Sequence, residues 1–208
     1  MNYNIKDLHC ARQITVIFLL AVIAITIASF FWYNEWIYSL PTPVPNGYKV
    51  VQVGQRVNLP AGLSPGSKPV FFHFFNPDCP CSRFNIPHFK SLVKEYGSTV
   101  DFVIVPVSYR PVTREEINKK FELDIPVLFE PTLAQAVGVY STPQAVIVDT
   151  NGSLYFRGNY NRSRYCADKK TEYARLAIAS LVSHQGPIKF DRFALKAYGC
   201  QTPQCTKR

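Results

Sequence analysis

The sequence predicts an α/β domain in three layers, helices on both faces of a central mixed sheet, behind an N-terminal transmembrane helix. Three observations carry this. Ile14 to Tyr33 is a charge-free apolar run. Pro69–Phe75 and Val100–Val107 are nearly unbroken apolar stretches of strand length. Around them strand-like and helix-like patterns alternate, and an Asn151-Gly152 hairpin signal comes late in the series.

The apolar run is interrupted only by Thr15, Thr26 and Ser29, and it has about the ~20 residues needed to cross the hydrocarbon core. Lys6 and Arg12 precede it; Glu35 follows, and no basic residue appears until Lys49. The positive-inside rule puts residues 1–13 in the cytoplasm and 14–36 in the inner membrane as a single-pass signal-anchor. Everything after them lies in the periplasm. A cleaved signal peptide is the competing reading, opposed by the bulky Phe30-Phe31-Trp32-Tyr33, which leaves no small-residue cleavage site. Trp32, Tyr33, Trp36 and Tyr38 suit an interfacial aromatic belt. Residues 37–47, rich in Pro, read as a stiff spacer.

The predicted domain covers 48–185. Tyr48–Leu59 alternates loosely, as an edge strand or hairpin would, and Ala61–Pro69 is a loop. Pro69–Phe75 reads as a strand buried on both faces. Ser82–Tyr96 is helical, with Phe84, Phe89, Leu92, Val93 and Tyr96 apolar and a kink expected at Pro87. Val100–Val107 is the second buried strand. Thr113 with Glu116 forms a capping box. Ile125–Phe129 is a short strand, and Pro131 opens a helix ending near Gly138. Gln144–Asp149 and Ser153–Arg157 pair about Asn151-Gly152. Ala167–Ser183 is an amphipathic helix whose apolar side carries Tyr173, Leu176, Ala177, Ser180 and Leu181. Residues 186–208 are a basic tail with a cysteine pair, Cys200 and Cys205.

A 47% hydrophobic content supplies a core, and the net charge of +9 is spread along the chain. There is no long Lys/Arg block and no nucleic-acid motif, so no nucleic-acid partner is expected. Of six cysteines, Cys10 falls on the cytoplasmic side. Cys79, Cys81, Cys166, Cys200 and Cys205 face an oxidising space where disulfides persist. Five is odd, so at least one is free or exchanges partners. Cys200 and Cys205 close a structural disulfide or form a second exchanging pair that relays electrons. Cys166 stays free or joins a tail cysteine.

The chemistry concentrates in Phe74-Phe75-Asn76-Pro77-Asp78-Cys79-Pro80-Cys81-Ser82, where a strand gives way to a helix. A thiol there meets unpaired N–H groups and the positive end of the helix dipole, which favour the reactive thiolate. Cys79 is the expected nucleophile and Cys81 the resolving thiol; Ser82 is the donor to the thiolate if Cys79 acts alone. Asp78 opposes them by raising the thiol pKa. His73 is either a proton acceptor for the resolving thiol or a hydrogen-bonded core histidine among Phe71, Phe72, Phe74 and Phe75.

These residues resemble the thioredoxin-like superfamily, in particular its membrane-anchored periplasmic branch typified by TlpA and ResA. The likeness covers about residues 48–185. It rests on the aromatic run before Cys79, on Pro87 in the first helix, on Gly138-Val139-Tyr140-Ser141-Thr142-Pro143 before the strand Gln144–Asp149, on Asn151-Gly152 and on Gly158. The chain departs from the usual Cys-X-X-Cys: aligned on Pro87, Ser82 takes the second cysteine's place and Cys81 sits one residue early. The resemblance implies a cis Thr142–Pro143 bond facing the cysteines, with Thr142 and Pro143 binding substrate. It implies a thiol–disulfide oxidoreductase acting on protein thiols or disulfides in the extracytoplasmic space, without cofactor or metal. Two alternatives stay open. One is a copper-delivery protein of Sco type, whose usual Cys-X-X-X-Cys is absent. The other is a redox-inactive binding module on the same fold. Peroxide reduction needs a Pro-X-X-X-Thr-X-X-Cys pattern that this chain lacks.

Overall fold

The computed structural model describes residues 5–36, 40–60, 66–122, 124–163, 165–186 and 188–203. The chain divides into two compact units, Met1–Tyr38 and Ser39–Arg208. The first is helix α1 (Ile5–Phe31) followed by a π-helical turn, Trp32–Trp36. Together, His9–Trp36 make a 28-residue helix whose most apolar 18-residue window has a mean hydropathy of 2.8. At ~1.5 Å per residue it is long enough to cross the ~30 Å core. Tyr38 lies outside the described residues.

The second unit is built on a four-stranded sheet of order β2-β1-β4-β5: β1 (Val70–Phe75), β2 (Asp101–Pro106), β4 (Gln144–Val148) and β5 (Leu154–Gly158). β1 runs parallel to β2 and antiparallel to β4, and β4 is antiparallel to β5. The helices are α2 (Pro80–Tyr96), α3 (Arg114–Phe121), α4 (Pro131–Ala136), α5 (Tyr173–Val182) and α6 (Arg192–Leu195). This mixed sheet between helices is the thioredoxin-like architecture. Strand side chains alternate between faces, so the unbroken apolar run of β1 feeds two cores at once. Phe71 and Phe75 pack with Phe89, Leu92, Ile117, Phe121, Ala174, Ala177 and Ile178 of α2, α3 and α5. Phe72 and Phe74 pack with Leu133, Ala134 and Val137 around α4, and with Val51 and Val57.

Several boundaries differ from expectation. Residues 48–59 form no strand; they run as an extended cover over the second face, bridged to the sheet at Arg56–Ser153. Residues 125–129 make a single parallel bridge, Val127 to Ile104, because Pro126 has no N–H to extend the ladder. Thr113 does cap α3, accepting from the Glu116 N–H at 3.2 Å. The last long helix is preceded by a 3-10 turn, Lys169–Thr171, and buries Tyr173, Ala174, Ala177, Ile178 and Ser180, leaving Leu176 exposed. Loop residues 61–65 lie outside the described residues.

The largest difference is at the two segments read as spacer and tail. Their described segments, 40–47 and 188–203, pack into the second unit. Thr42 is buried and its N–H donates to Ala197 O at 2.9 Å, with Pro41 bridged to Tyr198. Ala194 and Ala197 are fully buried. Asn159 Nδ2 donates to the carbonyls of Phe193 and Lys196 at 2.7 and 2.8 Å. A short sheet then forms between β3 (Ser141–Thr142) and β6 (Cys200–Gln201), antiparallel, with Thr142 opposite Cys200.

Candidate functional site

The segment from Asn76 to Ser82 is shaped by its own polar groups. Asn76 Oδ1 accepts from the Asp78 N–H at 2.9 Å, and Asn76 O accepts from the Cys79 N–H at 3.1 Å. This turn ends in Cys79, the N-cap of α2, with extended backbone (φ −83°, ψ 122°) and Pro80 opening the helix. Lys120 Nζ donates to Pro77 O at 2.8 Å and ties the turn to α3. Cys79 is thus held at the positive end of a 17-residue helix.

Its sulfur is bonded to Cys200. The two Cα atoms are 6.0 Å apart, across 121 residues of sequence. Cys79 Sγ also lies 3.7 Å from the Thr142 carbonyl oxygen, and the Thr142–Pro143 peptide is cis. This pairing replaces the expected Cys200–Cys205 disulfide; Cys205 lies outside the described residues. It also leaves Cys81 a thiol, fully buried in the first turn of α2, in place of an expected Cys79–Cys81 bond. The physical reason is in the topology: β6 adds to β3 and sets Cys200 opposite Thr142, over the N-terminus of α2.

Ser82 is fully buried, and its Oγ accepts from the Asn76 N–H at 3.3 Å. Its oxygen braces the turn; the donor role expected of Ser82 when Cys79 acts alone as a thiolate does not arise with Cys79 in a disulfide. His73 is fully buried too. Its Nδ1 is 2.6 Å from the Tyr160 hydroxyl and its ring stacks on Phe89 at 4.4 Å between centroids. Burial, aided by the nearby His88, pushes its pKa down to about 3. The Tyr160 phenol is held well above 10, chiefly by burial, so it keeps its proton, and its hydroxyl shares the hydrogen bond with Nδ1. A neutral ring buried among aromatic side chains and paired with Tyr160 fits the reading of a hydrogen-bonded core histidine.

Two site features left no local trace in the sequence. Arg110 lies between Asp78 and Glu116: its Nε is 3.1 Å from Asp78 Oδ2 and its Nη1 2.9 Å from Glu116 Oε2. The guanidinium pKa is pushed up by the hydrogen bonds to Glu116 and Asp78. The carboxylate expected to disfavour a thiolate at Cys79 therefore has its own counter-charge. Replacing Arg110 with Gln should slow alkylation of reduced Cys79 at neutral pH by about threefold, a modest effect because the pair is half exposed. Equal rates in variant and wild type would show that Asp78 does not act on Cys79. The second feature is the contrast with Cys166, which also remains a thiol. Burial first, then Glu172, pushes it up to about 12, so it is not ionised at neutral pH and not a nucleophile. Among the described residues, no three His, Cys, Asp or Glu side chains come together as a metal site.

Residues 48–202 match the family described as Domain of unknown function (DUF6436), and the chain belongs to that family. No curated protein matches it. Among solved structures it is similar to a hypothetical protein from Sinorhizobium meliloti 1021, with 18% identity, TM-score 0.61, and 74% of this chain and 95% of that one covered. It is similar as well to an uncharacterized conserved protein from Geobacillus kaustophilus, with 18% identity, TM-score 0.60, and coverages of 78% and 97%. A third is the peroxidoxin BcpB from Mycobacterium tuberculosis, with 19% identity, TM-score 0.50, and coverages of 64% and 98%. At such identities the likeness is one of fold.

Proposed function

We propose that this member of a family of unknown function is a thiol–disulfide oxidoreductase, tethered to the inner membrane by α1, with its catalytic domain in the periplasm and Cys79 as the exchanging sulfur. The observation that carries the reading is a cysteine disulfide-bonded at the N-cap of α2, beside the Thr142 carbonyl and cis-Pro143. The helix terminus favours thiolate, which makes Cys79 a good attacking group and a good leaving group. The Lys6 and Arg12 flank supports a cytoplasmic N-terminus. Its clients are protein thiols or disulfides, for which Thr142 and Pro143 form one wall. The anchor keeps the site near membrane-proximal clients and raises their effective concentration.

The full chain in detergent should equilibrate with mixtures of reduced and oxidised glutathione. The fraction of Cys79 in a disulfide, read by alkylation and mass spectrometry, should follow a reversible two-electron curve. Cys79→Ser should abolish it. A Cys79 that stays locked in its disulfide across the whole range of buffers, or that never re-forms one, removes the oxidoreductase reading.

A further inference from the structure

We infer that Cys200, carried on the C-terminal arm 197–203, is the resolving cysteine of this enzyme, so that its oxidised state is Cys79–Cys200 and not Cys79–Cys81. This rests on the oxidoreductase reading above and names the second sulfur of that reaction.

The arm is built into the fold on both sides of Cys200. Before it, Ala197 O accepts from the Thr42 N–H at 2.9 Å and the Tyr198 hydroxyl donates to Asn161 O at 2.9 Å. After it, the Thr202 N–H donates to Tyr140 O at 3.1 Å, and Thr202 is 1% exposed. Ser141 Oγ sits within hydrogen-bond distance of Thr42 Oγ1 and Tyr198 O, at 2.8 and 3.1 Å, joining the three segments in the interior. Gly199 makes the close approach: its φ is +117°, and a Cβ there would stand 2.2 Å from Thr142 O. Fixed backbone on either side thus delivers one sulfur to another. Cys79 is buried in the bond, whereas Cys200 is partly exposed.

The exchange balances as two displacements. The Cys79 thiolate attacks a client disulfide; a Cys79–client S–S bond forms, the client's own S–S bond breaks, and the second client sulfur leaves as thiolate. The Cys200 thiolate then attacks Cys79 Sγ; the Cys79–Cys200 bond forms, and the first client sulfur leaves. The client gains two electrons and its thiolates take up two protons, while Cys79 and Cys200 lose two electrons and two protons. A protein dithiol returns the electrons from the other side. Its first thiolate attacks Cys200 Sγ, the more exposed of the pair, and Cys79 leaves as thiolate. The dithiol's second thiolate then displaces Cys200, so that the dithiol ends as a disulfide and both cysteines are reduced. β6 covers the edge of β3 in the oxidised state, with Ser141 opposite Gln201 and Thr142 opposite Cys200.

The test uses the full chain in detergent, reduced, freed of reductant and challenged with oxidised glutathione, with adducts and disulfides mapped by mass spectrometry. Wild type should give Cys79–Cys200 with little adduct. Cys200→Ser should keep a Cys79–glutathione adduct about tenfold longer or more, the advantage of an intramolecular thiol being lost. Cys81→Ser should clear the adduct within about twofold of the wild-type rate, as expected of a thiol outside the exchange. Should Cys200→Ser fail to fold, the wild-type map alone decides, since a Cys79–Cys81 product overturns the inference. Adduct persisting in Cys81→Ser while Cys200→Ser clears it also overturns the inference and leaves the oxidoreductase reading standing. No adduct and no new disulfide at Cys79 in any variant sinks both.

Discussion

In the reduced protein, Gly199→Ala should expose Cys79 to alkylation about tenfold faster than wild type, because it pushes the C-terminal arm off β3 at a free-energy cost of roughly 1–3 kcal/mol. Two penalties act at this position. The backbone sits at φ +117°, where a side chain is strained whatever space surrounds it. The added methyl would also meet Thr142 O at 2.2 Å and Thr142 C at 3.1 Å. Both are main-chain atoms of β3, so no rotamer change relieves the clash, and strand separation is the available relief. A loss of ~1.4 kcal/mol in arm docking multiplies the open population tenfold. Reagent reaching a Cys79 that is 2% exposed in the closed form should report that population directly. The arm is a local element on a larger core, so the thermal midpoint should move by only a few degrees. Competition of reduced wild type and variant for iodoacetamide, with Cys79 read by mass spectrometry, measures the ratio. Equal rates would mean that the arm does not guard Cys79.

That prediction depends on contacts that sequence reading did not reach, and the reason is physical. What was legible was local. The run Phe71–Phe75 reads as a strand buried on both sides because its alternate residues enter two cores. Thr113 with Glu116, and Asn151-Gly152 between β4 and β5, are short-range signals whose chemistry acts within a few residues. Cys79 at a strand–helix junction belongs with them. The partners were not legible. Tyr160 reaches His73 across 87 residues, Arg110 reaches Asp78 across 32, and Cys200 reaches Cys79 across 121. No periodicity links such pairs. Residues 41–45 show the limit most clearly: a Pro-rich extended segment looks the same whether it hangs in solvent or docks, and docking here is decided by Ala197 and Tyr198 far downstream. The two nearest hints were the odd number of cysteines after the apolar helix and the Gly199-Cys200 pair, which suits a tight approach of one backbone segment to another.

Acidification should weaken the domain through His73, by about 2 kcal/mol between neutral pH and pH 5. The histidine is fully buried in a cage of Phe75, Phe89, Phe121 and Tyr160, and its Nε2 has no hydrogen-bond partner among the described residues. A second proton on this imidazole would place a charge among aromatic faces, so burial first, then the nearby His88, pushes the pKa down from 6.5 to about 3. The unfolded chain, at 6.5, takes up the proton first. Stability from this group is therefore complete above about 6.5 and drains as pH falls toward 3. Neighbours act in the same interval. His88, lowered to about 4 by burial and then by Arg175, adds to the loss, whereas Glu172, raised mainly by burial, opposes it just above 4.5. Glu115, Glu116 and Glu130 are lowered from 4.5 and act below that value. The contrast that isolates His73 is His73→Phe, which keeps an aromatic ring in the cage and removes the titration. The variant leaves the Tyr160 hydroxyl without its partner, a cost of about 1–3 kcal/mol at every pH that cancels in the comparison. Urea unfolding at pH 7 and pH 5 should show the wild type losing about 2 kcal/mol more than His73→Phe between the two. Parallel losses in both proteins would mean that His73 does not carry the acid sensitivity of this core.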